Sequence, residues 1–145
     1  MNSRLDTLQA AILLPKLKAF KEYELEKRNE VAKLYDEMLK DRFMVPFVPE
    51  GYVSSWAQYT LILESREERE RIQDYLKEEG IPSMVYYPKP LHKQAVYKDY
   101  GFNLEDLKVS ESLAERVLSI PMHPYMEEKD VEKVCRALLE ATNGR

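Results

Sequence analysis

Two short segments of the sequence carry most of the side chains that could do chemistry. The first, residues 86–92, has the sequence Tyr-Tyr-Pro-Lys-Pro-Leu-His, which puts two phenols, an ammonium and an imidazole beside two prolines. Each proline fixes its own φ and removes a backbone donor, so we expect a stiff, extended exit from a strand. Donors on such a backbone can hold an anionic or polyhydroxyl ligand at low entropic cost. A tyrosine-rich surface loop would have the same composition, because strands favour tyrosine.

The second segment is Asn2-Ser3-Arg4, at the predicted entry to the first helix. A helix N-terminus offers unpaired N–H groups and a partial positive charge, which makes it a natural phosphate site. The guanidinium of Arg4 adds a planar fork that suits phosphate or carboxylate. The plainer alternative is an ordinary N-cap, formed by Asn2 or Ser3, followed by an exposed arginine.

Helical periodicity dominates the first forty residues. Leu5, Leu8 and Ile12 form one apolar stripe at helical spacing. Pro15 interrupts this pattern and predicts a kink, or a new helix that begins close to it. Residues 21–30 hold few apolar side chains, which predicts a solvent-exposed bridge within a long helix.

Beyond residue 40, strand and helix patterns alternate. Aromatic and β-branched runs at residues 56–63, 83–87 and 118–120 predict three strands. Helices are predicted near residues 66–79 and at residues 110–118, and a last helix is predicted from an apolar stripe around Val134. Ser65 is expected to cap the first of these helices and Gly80 to end it. The sequence therefore predicts an α/β (α+β) fold of two layers. Long N-terminal helices precede a small, mostly antiparallel, three-stranded sheet that is covered by helices.

Composition and missing motifs exclude several classes of function. The 145-residue chain has a formal charge of −4, spread along its length, which argues against a dedicated nucleic-acid binder. No apolar run approaches the roughly 20 residues that span a bilayer, and residues 1–6 lack a signal peptide's pattern, so we expect a cytoplasmic protein. Glycine-rich phosphate loops are missing, and His92 and His123 are too few for most histidine metal sites. Cys135, beside the last apolar stripe, is expected to be a packing residue.

Four motifs of the sequence follow one another in an order that belongs to a known enzyme family. Residues 2–13 have the sequence Asn-Ser-Arg-Leu-Asp-Thr-Leu-Gln-Ala-Ala-Ile-Leu, which is similar to the pattern Asn-x-Arg-(Leu/Met)-x-x-x-Gln-Ala-Ala. Ser55-Trp56 with the strand after it, residues 80–82 (Gly-Ile-Pro) leading into residues 86–92, and residues 120–124 (Ile-Pro-Met-His-Pro) come next. Together these motifs resemble the DegT/DnrJ/EryC1/StrS aminotransferases.

The resemblance implies a fold-type I enzyme that uses pyridoxal 5′-phosphate and moves an amino group from glutamate to a nucleotide-linked keto-sugar, in polysaccharide or amino-sugar biosynthesis. It implies a homodimer as well. The family's Schiff-base lysine lies tens of residues before the first motif, so the resemblance covers a C-terminal portion, which we expect to be inactive alone. Residues 1–40 would be a helical segment that links to the large domain, and residues 41–145 the small domain.

The resemblance also assigns roles to individual residues. Asn2 matches an asparagine that binds the cofactor phosphate in the neighbouring subunit, and no catalytic or metal-binding residue is implied. The implied substrate-binding residues are Arg4, Tyr86, Tyr87, Lys89 and His92. Two alternatives share the same fold: a stand-alone α/β module that binds a nucleotide-sugar or regulates a partner, and one half of a split enzyme.

Overall fold

The computed structural model describes residues 4–142 except Lys98 and Phe102, and leaves the side chain of Leu104 undescribed. Over these residues the helices are α1 (Thr7–Ala19), α2 (Leu25–Leu39), α3 (Arg66–Glu78), α4 (Lys108–Arg116) and α5 (Glu128–Thr142), and the strands are β1 (Tyr59–Ile62) and β2 (Val117–Ile120). A π-helical turn, Phe20–Glu24, joins α1 to α2. Short 3-10 turns cover Leu91–Lys93, Ala95–Tyr97 and Leu104–Leu107.

One sheet holds the two strands side by side. β1 and β2 are antiparallel, with Tyr59 opposite Ile120 and Ile62 opposite Val117. The expectation of a third strand at residues 83–87 is wrong: that segment forms a single bridge, through two backbone hydrogen bonds between Met84 and Ser119 of 2.8 and 3.0 Å. Pro82 and Pro88, on either side, have no N–H to extend the ladder.

The core lies between this sheet and the helices α2, α3 and α5, in the two layers that the sequence predicts. Apolar stripes at helical spacing turn inward from each helix, and alternate strand residues meet them. Residues that are almost completely buried there include Tyr35 and Leu39 of α2, Leu61 and Leu118 of the strands, Ile72 and Leu76 of α3, and Val131 and Leu138 of α5. Tyr35 also donates from its hydroxyl to the carbonyl of Pro121 at 2.8 Å.

Local signals explain where the helices after residue 40 begin and end. The Ser65 side chain accepts from the backbone N–H of Glu68 at 3.2 Å, as predicted. The Glu68 carboxylate accepts from the backbone N–H of Glu64, and not from that of Ser65. Gly80 ends α3 with φ of +69°, a conformation that glycine adopts without the steric cost of a side chain. Trp56 has φ of +46°, so the predicted strand at 56–63 is shortened to begin at Tyr59.

The first helix differs from its prediction at both ends. It begins at Thr7, and Asp6 is its N-cap, in a capping box with Gln9. The predicted caps Asn2 and Ser3 lie outside the described residues. The helix continues through Pro15, and the departure from regular α-helix comes at the π-helical turn Phe20–Glu24. None of its residues is buried.

A buried carboxylate ties this helical segment to the rest of the domain. Residues 21–30 were expected to be solvent-exposed, yet Glu24 has no exposed surface. Its Oε1 accepts from Lys16 at 2.5 Å and from the hydroxyl of Tyr125, which follows β2. Both hydrogen bonds lower the pKa of the Glu24 carboxyl, and the one from Lys16 has the larger effect. The contact joins residues 101 apart in sequence and fixes the π-helical turn to the loop before α5.

Candidate functional site

A cavity of about 710 Å³ opens between the proline-rich segment and α4. One wall comes from the segment after the Met84 bridge, and the other from α4 and the residues at its ends. The lining residues of these two walls are Tyr86, Tyr87, Lys89, Pro90, Leu91, His92, Gln94 and Tyr97 on one side, and Leu107, Ser110, Leu113, Ala114 and Val117 on the other. The structure therefore brings four of the six predicted site residues into one cavity: Tyr86, Tyr87, Lys89 and His92.

The two tyrosines stand where the chain leaves the sheet. The Met84 bridge anchors one end of this segment, and Pro88 and Pro90 stiffen the other. The rings of Tyr86 and Tyr87 meet edge to face, with centroids 5.9 Å apart, and Tyr87 keeps 74% of its surface exposed. Both hydroxyls can donate and accept, so the pair suits the hydroxyl groups of a sugar or the oxygens of a phosphate.

Lys89 lies at the exposed rim of the cavity, between two prolines. Its backbone carbonyl accepts from the Gln94 side chain at 3.3 Å, which folds the segment back on itself. Among the ion pairs of the described residues the Lys89 ammonium takes no part, whereas Lys93 is paired with Glu111 at 2.7 Å. The Lys89 charge is therefore placed to meet an anion that enters from solvent.

His92 is held by a residue that the sequence analysis did not identify. Its Nε2 lies 2.9 Å from Oε1 of Glu111 on α4, and its side chain is only 6% exposed. A carboxylate can only accept, so Nε2 carries the proton in this contact. Hydrogen bonds from Lys93 and His92 lower the pKa of the Glu111 carboxyl, and the one from Lys93 has the larger effect. Glu111 lies 19 residues from His92 in sequence and is one of 26 acidic residues, so no local pattern marked it.

The remaining predicted site residues are not part of this cavity. Arg4 is exposed, stands three residues before α1, and does not line the cavity, so the predicted helix entry at residues 2–4 is displaced to Asp6. Asn2, the predicted ligand of the cofactor phosphate, lies outside the described residues.

The lysines of the described residues bear on where the cofactor's Schiff base could form. A lysine that forms a Schiff base at neutral pH needs a lowered pKa, which burial or a neighbouring cation provides. Every lysine that the structure describes is exposed, from Lys16 on α1 to Lys133 on α5. No step of the chemistry is therefore assigned to these lysines.

Two other groups that could react have structural surroundings. Cys135 is completely buried on α5, as predicted for a packing residue, and burial raises the pKa of its thiol to about 12. His123 is exposed and accepts from the backbone N–H of Tyr125 at 3.2 Å.

Within residues 4–142, as far as they are described, no group of three or more His, Cys, Asp or Glu could hold a metal ion. No helix of the described chain is long and apolar enough to cross a membrane.

Comparisons with known proteins agree with this fold. The model of the DegT/DnrJ/EryC1/StrS aminotransferase family matches residues 1–139. The chain is 44% identical over 139 residues to a UDP-2-acetamido-2-deoxy-3-oxo-D-glucuronate aminotransferase of Pseudomonas aeruginosa, a match that covers 95% of this chain and 37% of that protein. The chain thus spans little more than a third of that relative's length.

Solved structures give the same result. An aminotransferase of this family from Brucella abortus superposes with a TM-score of 0.88 at 46% identity, over 100% of this chain and 38% of that one. The PLP form of Spr1654, a putative sugar aminotransferase from Streptococcus pneumoniae, superposes with a TM-score of 0.82 at 25% identity, over 94% of this chain and 35% of that one.

These are fold-type I aminotransferases, so the predicted fold class is confirmed apart from the number of strands. The family depends on pyridoxal phosphate, as the PLP form illustrates. The matched family model and the superposed structures both extend over almost all of the sequence. The chain belongs to the DegT/DnrJ/EryC1/StrS aminotransferase family.

Proposed function

We propose that this chain is the nucleotide-sugar-binding part of an aminotransferase that moves an amino group from glutamate to a nucleotide-linked keto-sugar. The observation that carries the proposal is the single cavity of about 710 Å³ lined by Tyr86, Tyr87, Lys89 and His92. Family membership supports the reaction, and the name of the Pseudomonas aeruginosa relative supports a nucleotide-linked oxo-sugar as substrate.

The cavity is divided in a way that suits such a ligand. Aromatic and aliphatic side chains, including Leu113 and Val117 on its far wall, offer a surface for a base or sugar ring. Lys89 supplies positive charge at the rim, where a diphosphate would lie, and the phenol of Tyr87 supplies a donor for a phosphate oxygen or a sugar hydroxyl. These residues bind and orient the substrate.

The reactive lysine is proposed to lie outside this sequence. When bound in a complete site, pyridoxal phosphate supplies the electron sink for amino transfer. The residues of this chain would contribute to that site from its edge, with Asn2 toward the cofactor phosphate and Arg4 toward the substrate. In the same proposal, residues 1–40 form a helical link, residues 41–145 form the small domain, and the complete enzyme is a homodimer.

Titration of the purified chain with UDP and with uridine tests the binding function. Calorimetry is expected to show weak binding of UDP, with a Kd of roughly 0.1–1 mM. Uridine is expected to bind less tightly, because it lacks the diphosphate that Lys89 would meet. Lys89→Met should weaken UDP binding and leave uridine binding unchanged. The control Lys77→Met, on the exposed side of α3, should change neither.

Two results would contradict this proposal. Absence of any UDP binding at millimolar concentration would reject the assignment of the cavity, as would equal effects of Lys89→Met and Lys77→Met. Reduction with borohydride after addition of pyridoxal phosphate tests the lysine separately. Fixation of one cofactor per chain on one lysine would show that the reactive amine lies in this sequence.

The stand-alone module is the second candidate, because the cavity already combines apolar side chains with Lys89 and two phenols. A module that senses a nucleotide-sugar should bind a UDP-sugar or dTDP-sugar more tightly than UDP or dTDP, and at micromolar concentration. A part of a larger enzyme should bind weakly, because the rest of the site is missing. The same calorimetric titration, extended to UDP-N-acetylglucosamine and dTDP-glucose, separates the two.

A further inference from the structure

Glu111 lies beside the cavity and is not one of its lining residues. Its two carboxylate oxygens have different partners: Oε1 bonds Nε2 of His92 at 2.9 Å, and Oε2 pairs with Nζ of Lys93 at 2.7 Å. Both partners lie on the 3-10 turn Leu91–Lys93, whereas Glu111 lies on α4. One side chain thus connects the two walls of the cavity.

The two contacts differ in how far they are shielded from water. The His92 side chain is 6% exposed and Glu111 30%, whereas Lys93 is 47% exposed. A charge-assisted hydrogen bond that is shielded from water is worth more than an exposed ion pair, which contributes little. A carboxylate bonded to one ring nitrogen also fixes the tautomer and the orientation of an imidazole.

The position of the turn matters for the rest of the site. Leu91 and His92 line the cavity, and Lys89 and Tyr87 immediately precede them. Ser110, next to Glu111 on α4, lines the opposite wall. If the turn moved away from α4, the cavity would widen. Lys89 and Tyr87, which are proposed to face the phosphates, would be displaced with it.

We propose that Glu111 is a positioning residue: it holds His92 in one tautomer and keeps the turn Leu91–Lys93 against α4, so that the cavity has the width its ligand requires. The inference rests on the proposed function for the identity of the ligand. It goes beyond that function because it assigns a role to a residue that no motif of the sequence marked.

Glu111→Gln is the test, since an amide keeps the size of the side chain but loses the charge. It can no longer accept at both ends, because one end becomes an NH₂ donor. The matched control is Glu105→Gln, which removes a carboxylate that is 74% exposed and paired with Lys108. Each variant is compared with the unchanged chain in three measurements: UDP binding by calorimetry, the melting temperature, and the ¹⁵N shifts of the imidazole rings.

The expected result is an increase in the Kd for UDP of about tenfold in Glu111→Gln, with a melting temperature close to that of the unchanged chain. The ring nitrogens of His92 should shift from a single tautomer toward a mixture. The sequence has two histidines, so a His123→Gln variant assigns the signals. Glu105→Gln should leave all three measurements unchanged.

Equal UDP binding in Glu111→Gln and the unchanged chain would overturn the proposal. If the unchanged chain fails to bind UDP, the proposed function is rejected. The tautomer of His92, measured from its ¹⁵N shifts, then tests the positioning role of Glu111 by itself. A changed His92 tautomer in Glu111→Gln then supports the positioning role, and an unchanged one rejects it. A general loss of folding would lower the melting temperature and move the ring signals of His123 to random-coil positions as well, which would also reject a role confined to the cavity.

Discussion

The exposed apolar side chains of the first helix give a prediction about self-association. Six aliphatic side chains in or just before α1 are 50–77% exposed: Leu5, Leu8, Ile12, Leu13, Leu14 and Leu17. Their combined exposed area corresponds to about four fully exposed leucines, which are worth roughly 6–11 kcal/mol if removed from water. Large exposed apolar areas are usually covered by another protein surface.

A symmetric pair that covers half of this area in each copy would gain a similar roughly 6–11 kcal/mol in total. Association costs about 4–15 kcal/mol in lost freedom of motion, so the net gain is at most about 7 kcal/mol. We therefore expect the chain to self-associate with a Kd no tighter than about 10 µM. Sedimentation velocity over a wide range of protein concentration measures it.

Leu8→Asp tests whether α1 carries the contact. Each copy of a dimer loses about 2 kcal/mol of burial, so the Kd should rise about a thousandfold and leave a monomer. Leu8 is the second residue of α1, where an aspartate interacts favourably with the helix dipole, so the helix itself should persist in circular dichroism. Val53→Asp, at a site that is 72% exposed outside α1, is the control. An unchanged chain that sediments as a monomer at every concentration would refute the reasoning, and so would equal effects of the two variants.

Three further predictions concern stability and reactivity. Tyr35→Phe leaves the carbonyl of Pro121 without its donor and should lower the free energy of unfolding in urea by about 1–2 kcal/mol, whereas Tyr52→Phe, at an exposed site, should change it by less than about 0.5 kcal/mol. Because the pKa of Glu24 is lowered in the fold, the ionised carboxylate stabilises the folded state above the ordinary pKa of 4.5, and this stabilisation is lost as the pH falls below that value. Glu24→Gln should therefore be less stable than the unchanged chain at pH 7, and the difference between their urea midpoints should shrink toward acid pH. The thiol of Cys135 should resist a disulfide reagent in the native chain and react rapidly in urea, and rapid reaction of the folded chain would contradict its burial.

Sequence reasoning grouped four of the residues that line the cavity because they are close together in the chain. Tyr86, Tyr87, Lys89 and His92 lie within seven positions, so a local pattern was sufficient to group them. Glu111 comes from the next helix, and its contact with His92 depends on how α4 packs, which no spacing in the sequence reveals.

The errors in the predicted elements have local physical causes. Strand propensity favoured residues 83–87 because of Val85 and the tyrosines, but the flanking prolines limited pairing to Met84. Glu24 looked solvent-exposed because its neighbours are charged. Its burial depends on Tyr125, which is brought to it only by the fold. The number and type of helices after residue 40 follow from patterns within each segment, and those predictions were accurate to within a few residues.

The packing of α5 against α2 and α3 has a consequence for folding during synthesis. α2 and β1 leave the ribosome long before the elements they contact, since β1 pairs with residues almost sixty positions later and α2 packs against a helix about a hundred positions later. Contacts between such distant positions form only after a large loop has closed, which slows folding. The nascent chain must therefore expose the core side chains of α2 and β1 until the last helix is complete, and during that interval it is a natural client for chaperones.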